Sequence, residues 1–277
     1  MAEAARAAAK TSLAFIEVVF GKRGLSIANH FPELSKPIWP ASTESYATLT
    51  QASTLGAMTS PAQARPNLDW LILVPTDFER QQLDLPPGVP VQILGFGPLA
   101  AAASCALALA PGATKRVPKR VLLIGIAGTF DAAALPVASA RAFARVACDG
   151  VGVGLGSETL FPSQLGFPQI AGETPVFEEL PLHTTAAAQG LLVTTPAASA
   201  NATEAAARAA RFPGAVAEDM EAFGAALACH LVGLELTVIR GISNVAGDRD
   251  KSHWQIKAAL DAAAKLARTL IEDSRVA

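Results

Sequence analysis

Three short apolar runs, each closed by a helix start or a glycine turn, set the tightest limit on how this chain folds. Trp70–Pro75 is a continuous apolar run, the pattern of a strand buried on both faces, and a polar helical start follows at Thr76–Leu83. A second run, Val91–Leu94, ends in Gly95-Phe96-Gly97-Pro98, after which an Ala-rich helix extends through Ala110. A third, Arg120–Ile124, ends in Gly125-Ile126-Ala127-Gly128. Further along come a strand at Gly190–Thr194, a helix near Asn201–Arg211 and a strand at Ala215–Glu218. A helix at Met220–Val232, a strand at Leu236–Arg240 and a terminal helix from about Ser252 to Asp273 complete the series. Strands alternating with helices, with glycines at strand ends, predict an α/β three-layer sandwich whose central sheet is mainly parallel or mixed. Ligands in such folds sit at the C-terminal ends of the strands.

The first 66 residues read differently. They pass from an Ala-rich start through Pro32, Pro37 and Pro40 and a Ser/Thr-rich stretch to Pro61 and Pro66, without sustained periodicity. We expect a poorly ordered extension over 1–66 and one catalytic domain over 67–277. Charge nearly cancels, with 22 Lys+Arg against 24 Asp+Glu and a formal balance of −2, which disfavours a nucleic-acid partner. The longest apolar runs fall short of the ~20 residues of a membrane span. Cys105, Cys148 and Cys229 show no pairing or zinc-site spacing, so a reducing, cytoplasmic setting without a structural metal is expected.

Two segments carry more polar chemistry than a buried core needs. Glu218-Asp219-Met220-Glu221 places three carboxylates at a strand-to-helix junction. Favourable interaction with a helix N-terminus accounts for Glu218 or Asp219. A carboxylate at Glu221 pointing into a cleft needs a hydrogen-bonding partner to offset desolvation, and a pair of sugar hydroxyls is one. Arg240-Gly241-Ile242-Ser243-Asn244 leads into a polar stretch read as a loop, where Asn244 offers a donor and an acceptor to a heterocycle edge or closes an Asx-turn. Gly95-Phe96-Gly97-Pro98-Leu99-Ala100 has the spacing of a dinucleotide fingerprint, but Lys115, Arg116, Lys119 and Arg120 stand where a ribose-binding acid belongs. A tight structural turn and a turn approaching a small substrate are the other readings.

Taken in order, Pro75-Thr76-Asp77-Phe78-Glu79, the GxG turn, Gly125–Gly128, Glu218–Glu221 and Arg240–Asn244 resemble the nucleoside phosphorylase and nucleosidase superfamily. The stretch Ser243–Asp250 followed by Trp254-Gln255-Ile256 looks most like the futalosine hydrolases within it. The resemblance spans roughly Leu68 to Glu272. It implies hydrolytic release of hypoxanthine from futalosine, a purine nucleoside of menaquinone biosynthesis, by a homodimer without metal or cofactor. Residue by residue, it implies that Glu79 orients and deprotonates the attacking water, that Met220 and Glu221 hold the ribose hydroxyls, and that Asn244 faces the purine. Gly97, Ala127, Gly128 and Ser243 join the substrate-binding set, and Trp254 lines the 5′ side, near Arg249 and Lys251.

Water is expected as the nucleophile. Phosphate needs a cationic clamp, and Leu123 occupies the position where phosphorylases of the superfamily carry Arg. The GxG turn also lacks a basic neighbour, so a dianion is expected to meet only backbone amides. Asn244 in place of the Asp of adenine-releasing nucleosidases suits a 6-oxopurine. A methylthioadenosine/adenosylhomocysteine nucleosidase and a non-catalytic nucleoside-binding protein remain the alternatives. After the strand at Leu191–Thr194, Thr195-Pro196-Ala197-Ala198-Ser199-Ala200-Asn201 departs from the Ser-Gly and aromatic pattern of relatives, leaving Phe161, Phe167 and Phe177 as candidates to stack on the base. His183 and His230 are isolated and are read as packing or surface residues.

Overall fold

The computed structural model describes residues 68–110, 118–154, 156–183 and 188–276. The extension expected over 1–66 lies outside these. The described residues fall within one compact unit, Gln63–Ala277.

The chain begins with β1 (Leu68–Val74), α1 (Asp77–Gln82), β2 (Val91–Ile93), α2 (Pro98–Leu109) and β3 (Pro118–Thr129). Next are β4 (Ala140–Ala142), β5 (Arg145–Cys148), α3 (Pro162–Leu165), β6 (Glu179–Pro181) and β7 (Leu191–Thr194). It closes with α4 (Ala202–Arg211), β8 (Ala215–Asp219), α5 (Ala222–Leu231), β9 (Leu236–Val245) and α6 (Ile256–Val276). The strands form one mixed sheet in the order β2-β1-β3-β8-β7-β5-β6, with β9 alongside β3 and β4 alongside β9. Pairs β1–β2, β1–β3, β3–β9, β5–β7 and β7–β8 are parallel, whereas β3–β8, β4–β9 and β5–β6 are antiparallel.

Period-two alternation sends the residues of β1 to opposite faces. Trp70, Ile72 and Val74 join Leu122, Ile124 and Ile239 under α6, against Leu260, Ala263, Ala264 and Ile271. Leu71 and Leu73 join Val121, Leu123 and Val238 under α2 and α5. Both faces of the sheet are covered, which explains why these strands read as unbroken apolar runs. Two helix contacts depend on glycine. A Cβ on Gly224 would lie 2.2 Å from Pro98 O, and one on Gly241 would lie 2.1 Å from Ala259 O, so α5 meets α2 and α6 meets β9 backbone to backbone.

Four expectations are corrected. Gly125-Ile126-Ala127-Gly128 is not a strand-end turn, because β3 continues through it to Thr129. Asn244 is not in a loop, because β9 runs on to Val245 along β3. The helix expected from Met220 begins at Ala222, with Glu221 in a non-helical conformation as its N-cap residue. These extensions share a cause: β3 and β9 pair along their whole upper halves, and ladder hydrogen bonds outweigh local glycine and polar signals. The terminal helix likewise starts later, after a 3₁₀ turn at Lys251–His253.

Candidate active site

The site forms where β3 changes neighbours. On one side, β3 pairs with β1 as far as Leu123 and takes up β8 only at Gly128, leaving a gap in the ladder between them. Ile126 N–H faces that gap and donates to Glu79 Oε1 at 3.1 Å. Glu79 reaches it from the first turn of α1, where Thr76 builds a capping box. Thr76 N and Oγ1 donate to Glu79 Oε2 at 3.1 and 2.7 Å, and Glu79 N donates to Thr76 Oγ1 at 3.2 Å. The acid is therefore buried and fixed by both oxygens.

Arg240 comes from the other side. It pairs across the ladder with Gly125 and is fully buried. A Cβ on Gly125 would sit 2.2 Å from Arg240 Nη1 and 2.7 Å from Glu79 Oε1, so the missing side chain makes room for both groups. Arg240 Nη2 donates to Asp219 Oδ2 and, at 3.3 Å, to Glu221 Oε2. Its Nε and Nη1 are buried without a hydrogen-bond partner. An orphaned, charged donor beside a carboxylate is costly unless a ligand or water completes it.

Asp219 and Glu221 flank the end of β8. Asp219 also accepts from Thr194 Oγ1 at 2.6 Å and from Ala222 N at 2.9 Å. Glu221 Oε1 accepts from Gly97 N at 3.2 Å. Gly97 has φ 90°, which a side chain adopts only with strain, and it is the N-cap of α2. The GxG turn thus presents its amide to a carboxylate of the same site. Burial raises the Glu221 carboxyl to about 7; Arg240 opposes the rise, Asp219 reinforces it, the Gly97 amide lowers it slightly and the Glu79 charge adds a little to it. Burial disfavours the Arg240 cation, yet Asp219, Glu221 and Glu79 outweigh it and raise its pKa.

Asn244 lies one step along the sheet. It pairs with Gly128 after a register shift that leaves Ser243 as the extra residue of β9. Ser243 Oγ donates to Asn244 Oδ1 at 2.7 Å and approaches Ala127 O at 3.3 Å, while Asn244 Nδ2 donates to Val245 O at 2.9 Å. These bonds fix which end of the amide is which, and Nδ2 keeps a second N–H for a ligand. Ala127, Gly128, Ser243 and Asn244 are therefore brought together, and Met220 is half-buried between Asp219 and Glu221. Trp254 is tied to the same strand through its neighbour, because Gln255 N donates to Ser243 O at 2.7 Å. Its indole donates to Asp248 O at 3.0 Å, and the Arg249 guanidinium lies 5.1 Å over the ring.

The cationic surroundings differ from expectation. Leu123 is a core residue with no exposure, as its lack of charge implied. A dianion would nevertheless meet more than backbone amides, because β9 supplies Arg240. In the sequence Arg240 has no evident role and Asp219 reads as a helix cap; their pairing becomes visible only once β8 and β9 flank β3. Of the stacking candidates, Phe161 packs on Phe212 with centroids 5.0 Å apart in a satellite core. His183 pairs with Glu235 at 2.8 Å and, with His230, lines a cavity bounded by Leu180 and Leu236, away from these groups. Among the described residues, no cluster of three His, Cys, Asp or Glu side chains has the arrangement to hold a metal ion.

A family model described as the phosphorylase superfamily matches residues 85–274. A futalosine hydrolase from Thermus thermophilus is 34% identical over 226 residues, 74% of this chain and 96% of that protein. One from Streptomyces coelicolor is 34% identical over 192 residues, 67% of this chain and 81% of the relative. A Helicobacter pylori futalosine hydrolase structure matches with TM-score 0.58 at 15% identity, over 74% of this chain and 98% of that one. A 5′-methylthioadenosine/S-adenosylhomocysteine nucleosidase from Helicobacter pylori gives 0.58 at 16% identity, over 75% and 99%. At those identities the two structures bear on the fold alone. Together, the family model and the two sequence relatives show that the chain belongs to the phosphorylase superfamily and, within it, groups with the futalosine hydrolases.

Proposed function

We propose that the chain hydrolyses the N-glycosidic bond of futalosine, releasing hypoxanthine, with residues 67–277 as the catalytic domain. The observation that carries this reading is the convergence of Glu79 and Glu221 on one buried guanidinium. A water held between Glu79 Oε1 and Arg240 Nη1 supplies the partner that Arg240 lacks. In the reaction the C1′–N9 electron pair leaves with the purine, which takes up a proton from solvent, to be made good when Glu79 later releases its own. The water oxygen bonds to C1′ and gives its proton to Glu79. Departure of the base builds positive charge on the ribosyl group, which the carboxylates stabilise. Glu221 accepts from the ribose hydroxyls beside Met220, and Gly97 holds it in place.

The same cluster disfavours phosphate as the nucleophile. Arg240 brings one positive charge, facing the carboxyl groups of Asp219, Glu79 and Glu221, the last raised to about 7 and so only part-ionised near neutral pH. A neutral water enters that surplus of negative charge at little cost, but a phosphate dianion is repelled.

Asn244 reads the base through its second Nδ2 hydrogen, which suits the O6 acceptor of hypoxanthine. Asn244→Asp is expected to reduce kcat/KM on futalosine by about tenfold or more, the loss of a recognition hydrogen bond. The ratio of rates on 6-oxopurine and 6-aminopurine nucleosides should shift toward the amino compound; an unchanged ratio removes Asn244 from base recognition. Trp254 with Arg249 on its face is proposed to meet the 5′ substituent, whose benzoate suits an aromatic wall and a cation. Measuring base release from futalosine, inosine and methylthioadenosine tests the whole reading: futalosine should be strongly preferred. Methylthioadenosine as the best substrate contradicts it, and release from none points to binding without turnover.

We further propose a homodimer assembled through α2. This helix carries no charged residue, and Phe96, Leu99 and Leu107 at its start and outer face are 71%, 85% and 71% exposed. Such an apolar face beside Gly97 asks for a cover, and a second copy extends the wall of the site. Leu107→Lys is expected to shift sedimentation from dimer to monomer, whereas an unchanged dimer places the interface elsewhere. The free, buried thiols of Cys105, Cys148 and Cys229 fit the proposed cytoplasmic setting.

A further inference from the structure

A second buried charge cluster lies beside the catalytic one, built around Arg208 on α4. Its guanidinium has 11% of the side-chain surface exposed and donates to three separate segments. Nε donates to Asp149 Oδ2 at 2.7 Å, just past β5. Nη1 donates to Glu218 Oε2 at 2.6 Å, on β8, and to Ser199 Oγ. Nη2 donates to Ala197 O at 3.1 Å. Glu218 completes the clamp by accepting from Ser199 N at 2.9 Å and Ser199 Oγ at 2.7 Å. Arg211 Nη2 donates to both oxygens of Asp149, at 2.9 and 2.7 Å.

We propose that Arg208 is a positioning residue, whose guanidinium holds the turn Ala197–Ser199 as the wall facing the purine. The proposal rests on the nucleosidase reading for what the turn faces, and on the structure alone for what holds it. Three observations support it. Glu218 pairs in register with Gly128, which pairs on its other side with Asn244, so the clamp and the proposed base reader occupy one row across β8, β3 and β9. Glu218 also directly precedes Asp219, the main partner of Arg240. Finally, the chain just beyond the turn, at the N-cap of α4, meets the stretch following Asn244: a Cβ on Gly247 (φ 84°) would lie 2.3 Å from Asn201 O.

The chemistry asks for arginine specifically. Four acceptors on three segments are met by one planar fork, a geometry an ammonium lacks. Charge also balances, with Arg208 and Arg211 paired against Asp149 and Glu218. Burial pushes the Asp149 carboxyl up, but the bonds from Arg208 and Arg211 outweigh it and hold it below its usual value. Removing Arg208 therefore frees the turn and leaves carboxylate charge partly uncompensated.

Arg208→Ala, Arg208→Lys and Ser199→Ala would be compared with the wild type by amide hydrogen exchange and by futalosine kinetics. In Arg208→Ala, exchange across residues 195–201 should accelerate by about tenfold or more while β1 and β3 keep their protection. Its KM should rise by about tenfold or more with a smaller change in kcat, because a displaced wall weakens binding before it touches the reacting carbon. Arg208→Lys should fall between the two. Ser199→Ala keeps both ion pairs and should reproduce the loosened turn even if Arg208→Ala does not fold. A cavity of about 320 Å³ lined by Asp149, Thr195, Ala197, Arg208 and Arg211 adjoins the clamp, so guanidinium at non-denaturing concentration should lower the KM of Arg208→Ala and leave wild type unchanged. Unaltered exchange at 195–201 in the Arg208 and Ser199 variants overturns the clamp. Faster exchange with unchanged KM overturns the link to the base. If wild type releases no base from any nucleoside, the proposed function falls, and exchange alone then judges the clamp.

Discussion

Replacing Glu79 by Gln is expected to lower kcat on the nucleoside by about 10²–10⁴-fold, the usual worth of a positioned general base. The substitution is nearly isosteric, and an amide oxygen still accepts from Ile126 N as Glu79 Oε1 does at 3.1 Å. Its Oε2 position, which Thr76 meets at 2.7 and 3.1 Å, would become an NH₂ facing donors, so a modest loss of stability is expected as well. What Gln cannot do is take the proton of water. Kinetics and melting of the same preparation separate the effects: a folded variant with KM near wild type and kcat down by orders of magnitude fits the role. A folded variant retaining most of its kcat removes Glu79 as the base.

Arg240→Met carries the second large effect. The substitution leaves Asp219 and Glu221 buried without their cation, and breaking one side of such a pair costs about 3–5 kcal/mol. Removing the guanidinium also removes the group proposed to hold the water, so activity should vanish together with stability. Without Arg240 to oppose burial, the Glu221 carboxyl would rise further, so the variant should lose more stability at alkaline than at acidic pH. Adding Asp219→Leu to Arg240→Met should recover part of the stability but none of the activity, because an apolar replacement of a buried pair is often tolerated. Urea unfolding of the two variants is the measurement. A loss below about 1 kcal/mol in Arg240→Met contradicts the idea of a tightly coupled charge cluster.

The fold was legible wherever burial on both faces wrote an unbroken apolar run, as at Trp70–Val74 and Val121–Ile124. It was illegible where short strands form only because a neighbour is present. Ala140–Ala142 and Arg145–Cys148 are too short and mixed to announce themselves, and they pair with β9 and β7 respectively. Gly125 was read as punctuation, although its role is to leave space inside a strand for Arg240 and Glu79. Glu221 stood out as a carboxylate in apolar surroundings, whereas Glu79, on a polar helical start, is marked only by the family resemblance. Arg240 could not be interpreted from its own neighbours, since its partners come from the end of β8 and the start of α5, 21 and 19 residues away in sequence, and from α1. The signal that could have found it is a lone cation within the apolar stretch Val238–Ile242. Arg208 gave less still. On an Ala-rich helix with Glu204 and Arg211, it reads as part of a solvated face, and only the closeness of Asp149, Ser199 and Glu218 gives it another meaning.

Three carboxylates around one guanidinium make a site for water, and the identity of the nucleophile is the most direct test of that claim. Purified protein would be given futalosine with and without inorganic phosphate, with hypoxanthine followed by absorbance and the sugar product by phosphorus NMR. The expected result is the same rate of base release in both, with a free hydroxyl at C1′ of the product. A rate that depends on phosphate, with a ribosyl 1-phosphate as product, would contradict it.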